Sequence, residues 1–127
     1  MVWKKIVSSM KFTSNADGSA KAHPLAVQDW GLKVKDVIYV FVATDRSSSA
    51  AKVGVRHDEG PDDQSAYYVT QSTPIATATL ASVPRFVRGQ TSGSLPLPFF
   101  APTVLVGSTG ATQESVTGDL YAGGRPY

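Results

Sequence analysis

The sequence contains no cysteine, which excludes a disulfide framework, a thiolate metal site and a cysteine nucleophile. Histidine is almost as scarce. His23 and His57 are the only two, and no Ser/His/Asp order with a glycine elbow surrounds either. The run Gly107-Ser108-Thr109-Gly110 is not a G-x-S-x-G elbow. Neither phosphate-loop pattern, G-x-x-x-x-G-K-S/T or G-x-G-x-x-G, occurs. So thin an inventory of general acids and bases points away from an enzyme, and no catalytic residue is assigned.

Charge is sparse as well. Charged residues make up 17% of the chain, against about 25% in a typical soluble domain. Serine, threonine, alanine and glycine must fill the surface instead, and such a surface is cheap to desolvate against another protein. The net charge is +2, and Lys4, Lys5, Lys11, Lys33, Lys35, Arg85 and Arg88 are scattered rather than gathered into an arm. The chain therefore carries no strong nucleic-acid signal. Long apolar runs are missing too. Nothing approaches the roughly 18 residues of a membrane span, and no run of about 7 to 15 apolar residues follows Lys4 and Lys5 as a signal peptide requires. The expected location is a virion or a cytoplasmic assembly.

What the chain does have is β-branched and aromatic residues in alternation. The densest run is 34–44, Val-Lys-Asp-Val-Ile-Tyr-Val-Phe-Val-Ala-Thr. Read as a strand, it sends Ile38, Val40 and Val42 to one side and Val37, Tyr39, Phe41 and Ala43 to the other. Both faces are apolar, so the strand is expected between two layers or against a neighbouring subunit.

Around it, 2–12 alternates as a first strand with Val2, Ile6, Met10 and Phe12 on one face. Asp17-Gly18 supplies a turn with positive φ. Residues 25–30 suggest one turn of helix, with Trp30 as a plug over the core. The segments 34–44 and 52–57 look like a hairpin with a generous tip, and further strands are expected at 66–71, 75–81, 103–106 and 115–121. Seven or eight strands, no convincing helix and regular turn signals predict an all-β fold over 1–127 as one domain. The architecture is an antiparallel β-sandwich, jelly-roll-like, or a small barrel.

One cluster has the chemistry of a metal site. Asp58, Glu59, Asp62 and Asp63 crowd a Gly/Pro loop and could offer oxygen ligands to Ca²⁺, the one cofactor considered. Their spacing matches no EF-hand, and a solvated hairpin tip explains them more simply. The stretch 90–102 is rich in Gly, Ser and Pro yet carries Leu95, Leu97, Phe99 and Phe100, too much apolar weight for a solvated linker. Together with Tyr121, Arg125 and Tyr127 these are the expected docking residues.

The function that fits is a structural, self-assembling subunit: a virion or phage coat, decoration or tail-type component, or a filament protein. Its partners are copies of itself or a larger protein assembly. The alternative is a carbohydrate- or small-ligand-binding β-sandwich, with exposed Tyr or Trp stacking on sugar rings.

Overall fold

The computed structural model describes residues 1–31, 34–61, 63–64, 68–70, 74–91 and 98–127. The chain is all-β, and its strands are β1 (Val2–Thr13), β2 (Lys21–Pro24), β3 (Gln28–Asp29), β4 (Val34–Arg46), β5 (Ala51–Gly60), β6 (Val69–Thr70), β7 (Ala76–Thr79), β8 (Arg85–Gln90), β9 (Phe99–Ser108) and β10 (Ser115–Pro126). They form two antiparallel sheets. The first has the order β1-β10-β4-β8; in the second, β2 and β3 lie along one side of β9, β5 along the other, and β6 and β7 border β5.

The pairing follows a single rule: early strands pair with late ones. β1 lies beside β10, β2 beside β9, β4 beside β8 and β5 beside β7. A long hairpin with its bend between β5 and β7, rolled up on itself, gives these four pairs. That is the jelly roll, a double-sheet β-sandwich.

Side-chain alternation explains why the roll closes. Val37, Tyr39, Phe41 and Ala43 of β4 are fully buried and face Ala51, Val53, Val55 and His57 of β5 across the core. Leu120 and Ala122 of β10 and Phe100, Val104 and Val106 of β9 complete the two inner layers. Burying one such aliphatic or aromatic side chain contributes roughly 1.5–3 kcal/mol, so the two inner faces hold the sheets together. Phe12, Trp30 and Leu80 close the margins of this core.

Several sequence expectations change here. The segments 34–44 and 52–57 do not form a hairpin, because β4 and β5 belong to opposite sheets. Each has one wholly apolar face, and both faces are buried only if the link at 47–50 carries the chain across the sandwich. The link between β9 and β10 crosses in the same way. Residues 25–30 contain the short strand β3 rather than a helical turn, although Trp30 is indeed buried. In β1, register shifts between Lys5 and Val7 and between Val7 and Met10 break the simple alternation. Val7 is thereby packed against the core and Met10 is exposed. Ser9 takes up the irregularity with φ +49°, and its N–H donates to Asp119 Oδ1 at 2.6 Å.

Candidate functional site

The acidic cluster is divided by the fold. Asp58 and Glu59 are consecutive in β5, so their side chains leave opposite faces of the second sheet. Asp58 points outward and accepts hydrogen bonds from Arg56 Nε at 3.3 Å and from the Thr103 hydroxyl at 3.1 Å. Glu59 lies on the core side and accepts from His57 Nε2 at 2.8 Å. Asp63 is exposed and accepts from the Gln64 amide at 3.0 Å; Asp62 lies outside the described residues. A calcium ion needs about six to eight oxygens converging on one point. Among the described residues no group of three or more His, Asp or Glu side chains is placed to hold a metal ion. The hairpin-tip reading also changes, since Asp58 and Glu59 sit within a paired strand.

Sequence reasoning missed a buried polar relay. His57 and Glu59 share a face of β5 because they are two residues apart, and Tyr39 meets them from β4 in the other sheet. The Tyr39 hydroxyl lies 2.6 Å from His57 Nδ1, while Phe100 packs over the imidazole at 6.2 Å between ring centroids. Burial, reinforced by the negative charges of Asp58 and Glu59, pushes the Tyr39 hydroxyl well above the ordinary tyrosine range. The Tyr39 end of the relay is fully buried, while the Glu59 side chain is 20% exposed. The signal available was the i, i+2 spacing of His57 and Glu59.

The expected docking residues are also dispersed. Phe100 is fully buried and stacks on Trp30 with 4.6 Å between ring centroids and 15° between planes; it belongs to the core of its own chain and is not available to a neighbour. Phe99, one residue earlier, points outward and is half-buried. Leu95 and Leu97 lie outside the described residues. Tyr121, Arg125 and Tyr127 are not on a loose tail: β10 is paired with β1 as far as Gly124 and with β4 as far as Pro126. Tyr121 is half-buried, Arg125 pairs with Asp36 at 3.3 Å, and Tyr127 is 64% exposed at the strand's end.

The second apolar face of the central strand turns out to be the outer face of the first sheet. Ile38 is buried there, and Val40 and Val42 are half-buried. Trp3 and Phe86 stand 50% and 73% exposed on the two edge strands of that sheet. The Trp3 ring lies over Gly123, where an added Cβ would come within 2.8 Å of it. On the outer face of the second sheet, a shallow cleft of about 260 Å³ is lined by small residues including Gly18, Gly54, Thr77 and Gly107, with Lys52 as its charged wall. No aromatic ring lines it among the described residues.

No protein-family model matches the chain, and no curated protein matches it in sequence. Its fold does have counterparts. It is similar to the VP2 subviral particle of infectious bursal disease virus, with a TM-score of 0.58 and 11% identity over 95% of this chain and 32% of that one. The Gx strain structure of the same virus gives a TM-score of 0.55 at 12% identity, over 95% of this chain and 30% of that one. A xylan-binding module, CBM15, gives 0.50 at 10% identity, over 92% of this chain and 78% of that one. The chain thus spans about a third of the length of the viral proteins it resembles. At these identities the likeness is one of fold alone, a jelly-roll β-sandwich. No helix among the described residues is long and apolar enough to cross a membrane.

Proposed function

We propose that the chain is a structural subunit that assembles with copies of itself, as a virion or phage coat, decoration or tail component, or as a filament protein. The observation that carries this reading is the complete early-with-late strand pairing, shared in fold with VP2 over 95% of this chain. A surface poor in charge supports it, because little desolvation cost opposes subunit packing. The role is passive rather than catalytic, and the location is the assembled particle. Contacts form at the end of the sandwich where Phe99 and Tyr127 project, and along β1 and β8, the outermost strands of the first sheet, by strand pairing with another chain.

Light scattering on the purified protein, with electron microscopy of the same fraction, tests the proposal. A mass many times 13.4 kDa in rings, shells or filaments is expected, falling when Phe99 and Tyr127 are both replaced by Ser. A monomer at every concentration would refute it. One observation favours a second reading, a carbohydrate-binding role: the half-exposed Trp3 ring on a sandwich whose fold resembles a xylan-binding module. Saturable quenching of tryptophan fluorescence by a xylan oligosaccharide is its signature.

A further inference from the structure

The cations that look scattered in the sequence are brought together with aromatic rings on the outer face of the first sheet. Across that face, register places Lys5 of β1 beside Tyr121 of β10, Tyr121 beside Val40 of β4, and Val40 beside Arg88 of β8. Lys5 and Arg88 are both exposed, at the two ends of one row about 14 Å across, taking three strand spacings. The Lys5 ammonium is held 5.5 Å from the centre of the Tyr121 ring. Trp3 and Phe86 occupy opposite corners around this row, at register positions opposite Ile38 and Val42, roughly 20 Å apart by the same spacings.

On this face Asp36 is paired by Arg125 at 3.3 Å, and Asp119 keeps its charge while accepting the Ser9 N–H at 2.6 Å. Among the described residues neither Lys5 nor Arg88 pairs with a carboxylate. A neutral ligand would leave these cations unused. An extended polyanion whose monomers carry flat rings satisfies both sets of groups. Its phosphates meet the cations, and its bases stack on the exposed aromatics, as single strands do on four-stranded sheets and on aromatic-lined basic grooves.

The geometry points to a single-stranded nucleic-acid binding face built from Trp3, Lys5, Phe86, Arg88 and Tyr121. This inference is independent of self-assembly and is measured separately from it. The probe is a fluorescein-labelled 12-nucleotide oligothymidylate, followed by anisotropy and by quenching of tryptophan emission, with oligouridylate and a xylan oligosaccharide in parallel.

Micromolar binding is expected, with log K falling on log salt concentration at a slope of about −1.4 for two phosphate contacts to a single strand. Lys5→Ala or Arg88→Ala halves that slope. Trp3→Ala weakens binding roughly ten-fold while Trp3→Phe restores most of it, in the range expected for one base-stacking contact. Each variant's melting curve is compared with the parent's, and Phe86→Ser, which alters the most exposed ring, serves as a second test where Trp3→Ala fails to fold. Three results would overturn the assignment: no binding of either oligonucleotide at low salt; binding unaffected by Trp3→Ala and Phe86→Ser; or xylan binding that matches or exceeds oligonucleotide binding. A drop in solution mass on Phe86→Ser, with oligonucleotides inert, would assign the face to a second copy instead.

Discussion

The Tyr39 hydroxyl lies 2.6 Å from His57 Nδ1 across the core. The Glu59 carboxylate, 2.8 Å from Nε2, only accepts, so Nε2 carries a proton; in the neutral ring Nδ1 is then the acceptor for the Tyr39 hydroxyl. Tyr39→Phe leaves a buried ring nitrogen without its partner, a loss of about 1–3 kcal/mol. Urea unfolding with an unchanged m-value measures it. Combining Tyr39→Phe with His57→Leu is expected to cost less than the two single changes summed, because the second change removes the stranded group. Additive losses would show that the two side chains are not coupled.

At the opposite end of the sandwich, Glu114 ties three segments together. Its carboxylate accepts from the hydroxyls of Ser47, Ser48 and Thr112, and its backbone N–H donates to the Ser14 hydroxyl at 2.9 Å. The Ser47 hydroxyl, then that of Ser48, holds the Glu114 carboxyl below the ordinary value of 4.5. A carboxylate whose pKa is depressed by folding stabilises the native state above its unfolded pKa, and that stabilisation disappears as pH falls through the folded value. Glu114→Gln is therefore expected to lower the melting temperature by a constant amount above about pH 5.5, with the gap to the parent narrowing below pH 4.5. Thermal melts at intervals from pH 7 to pH 3 follow the effect. A gap that widens on acidification would contradict the assignment.

Gly123 and Gly124 each lie against a tryptophan, on opposite faces of β10. A Cβ on Gly124 would meet Val34 Cγ1 at 2.7 Å and the Trp30 ring at 3.0 Å, inside the core. A Cβ on Gly123 would meet the Trp3 ring at 2.8 Å and Met1 Sδ at 2.9 Å, both on exposed side chains that can swing away. Gly124→Ala is expected to destabilise by roughly 1–3 kcal/mol, as overpacking of a closed core does. Gly123→Ala is expected to cost less than about 1 kcal/mol and to red-shift tryptophan emission as Trp3 is lifted into water. Chemical denaturation and emission spectra of the two variants separate these effects.

Ser9 occupies the left-handed region at φ +49°, a conformation that disfavours residues with a Cβ. Ser9→Gly is expected to leave stability unchanged or raise it by up to about 1 kcal/mol, whereas Ser9→Val, β-branched, lowers it by more than that. Equal melting temperatures for the two variants would mean that the bulge relaxes freely. Asp119→Ala is expected to destabilise both backgrounds, since its Oδ1 accepts the Ser9 N–H.

Much of the architecture was legible from alternation alone. The run at 34–44 forms β4, and Ala76 and Leu80 face inward as their spacing implies, with Thr77 and Thr79 on the other face. The turn at Gly18 does take positive φ, at 85°. Alternation specifies which residues share a face, because that is a property of the extended backbone itself. It carries no information about partners distant in the chain, and so the crossing from β4 to β5 resembled a hairpin. The acidic cluster misled for a related reason: adjacent residues in a strand point apart, so Asp58 and Glu59, neighbours in sequence, have different partners.

The sequence by itself determined an all-β chain with apolar faces to bury, no thiol chemistry and little surface charge. These follow from composition and from a backbone period of two, both local quantities. Only the tertiary structure decided that β4 and β5 face each other across a core, that Phe100 stacks on Trp30 instead of reaching a neighbour, and that Tyr39 meets His57. It alone placed Lys5, Tyr121 and Arg88 in one row, from positions 5, 121 and 88 of the chain. Such juxtapositions depend on which strands pair after the long hairpin rolls up. That choice is made by the combined burial of both sheets, a sum over the whole molecule that no single stretch of sequence contains.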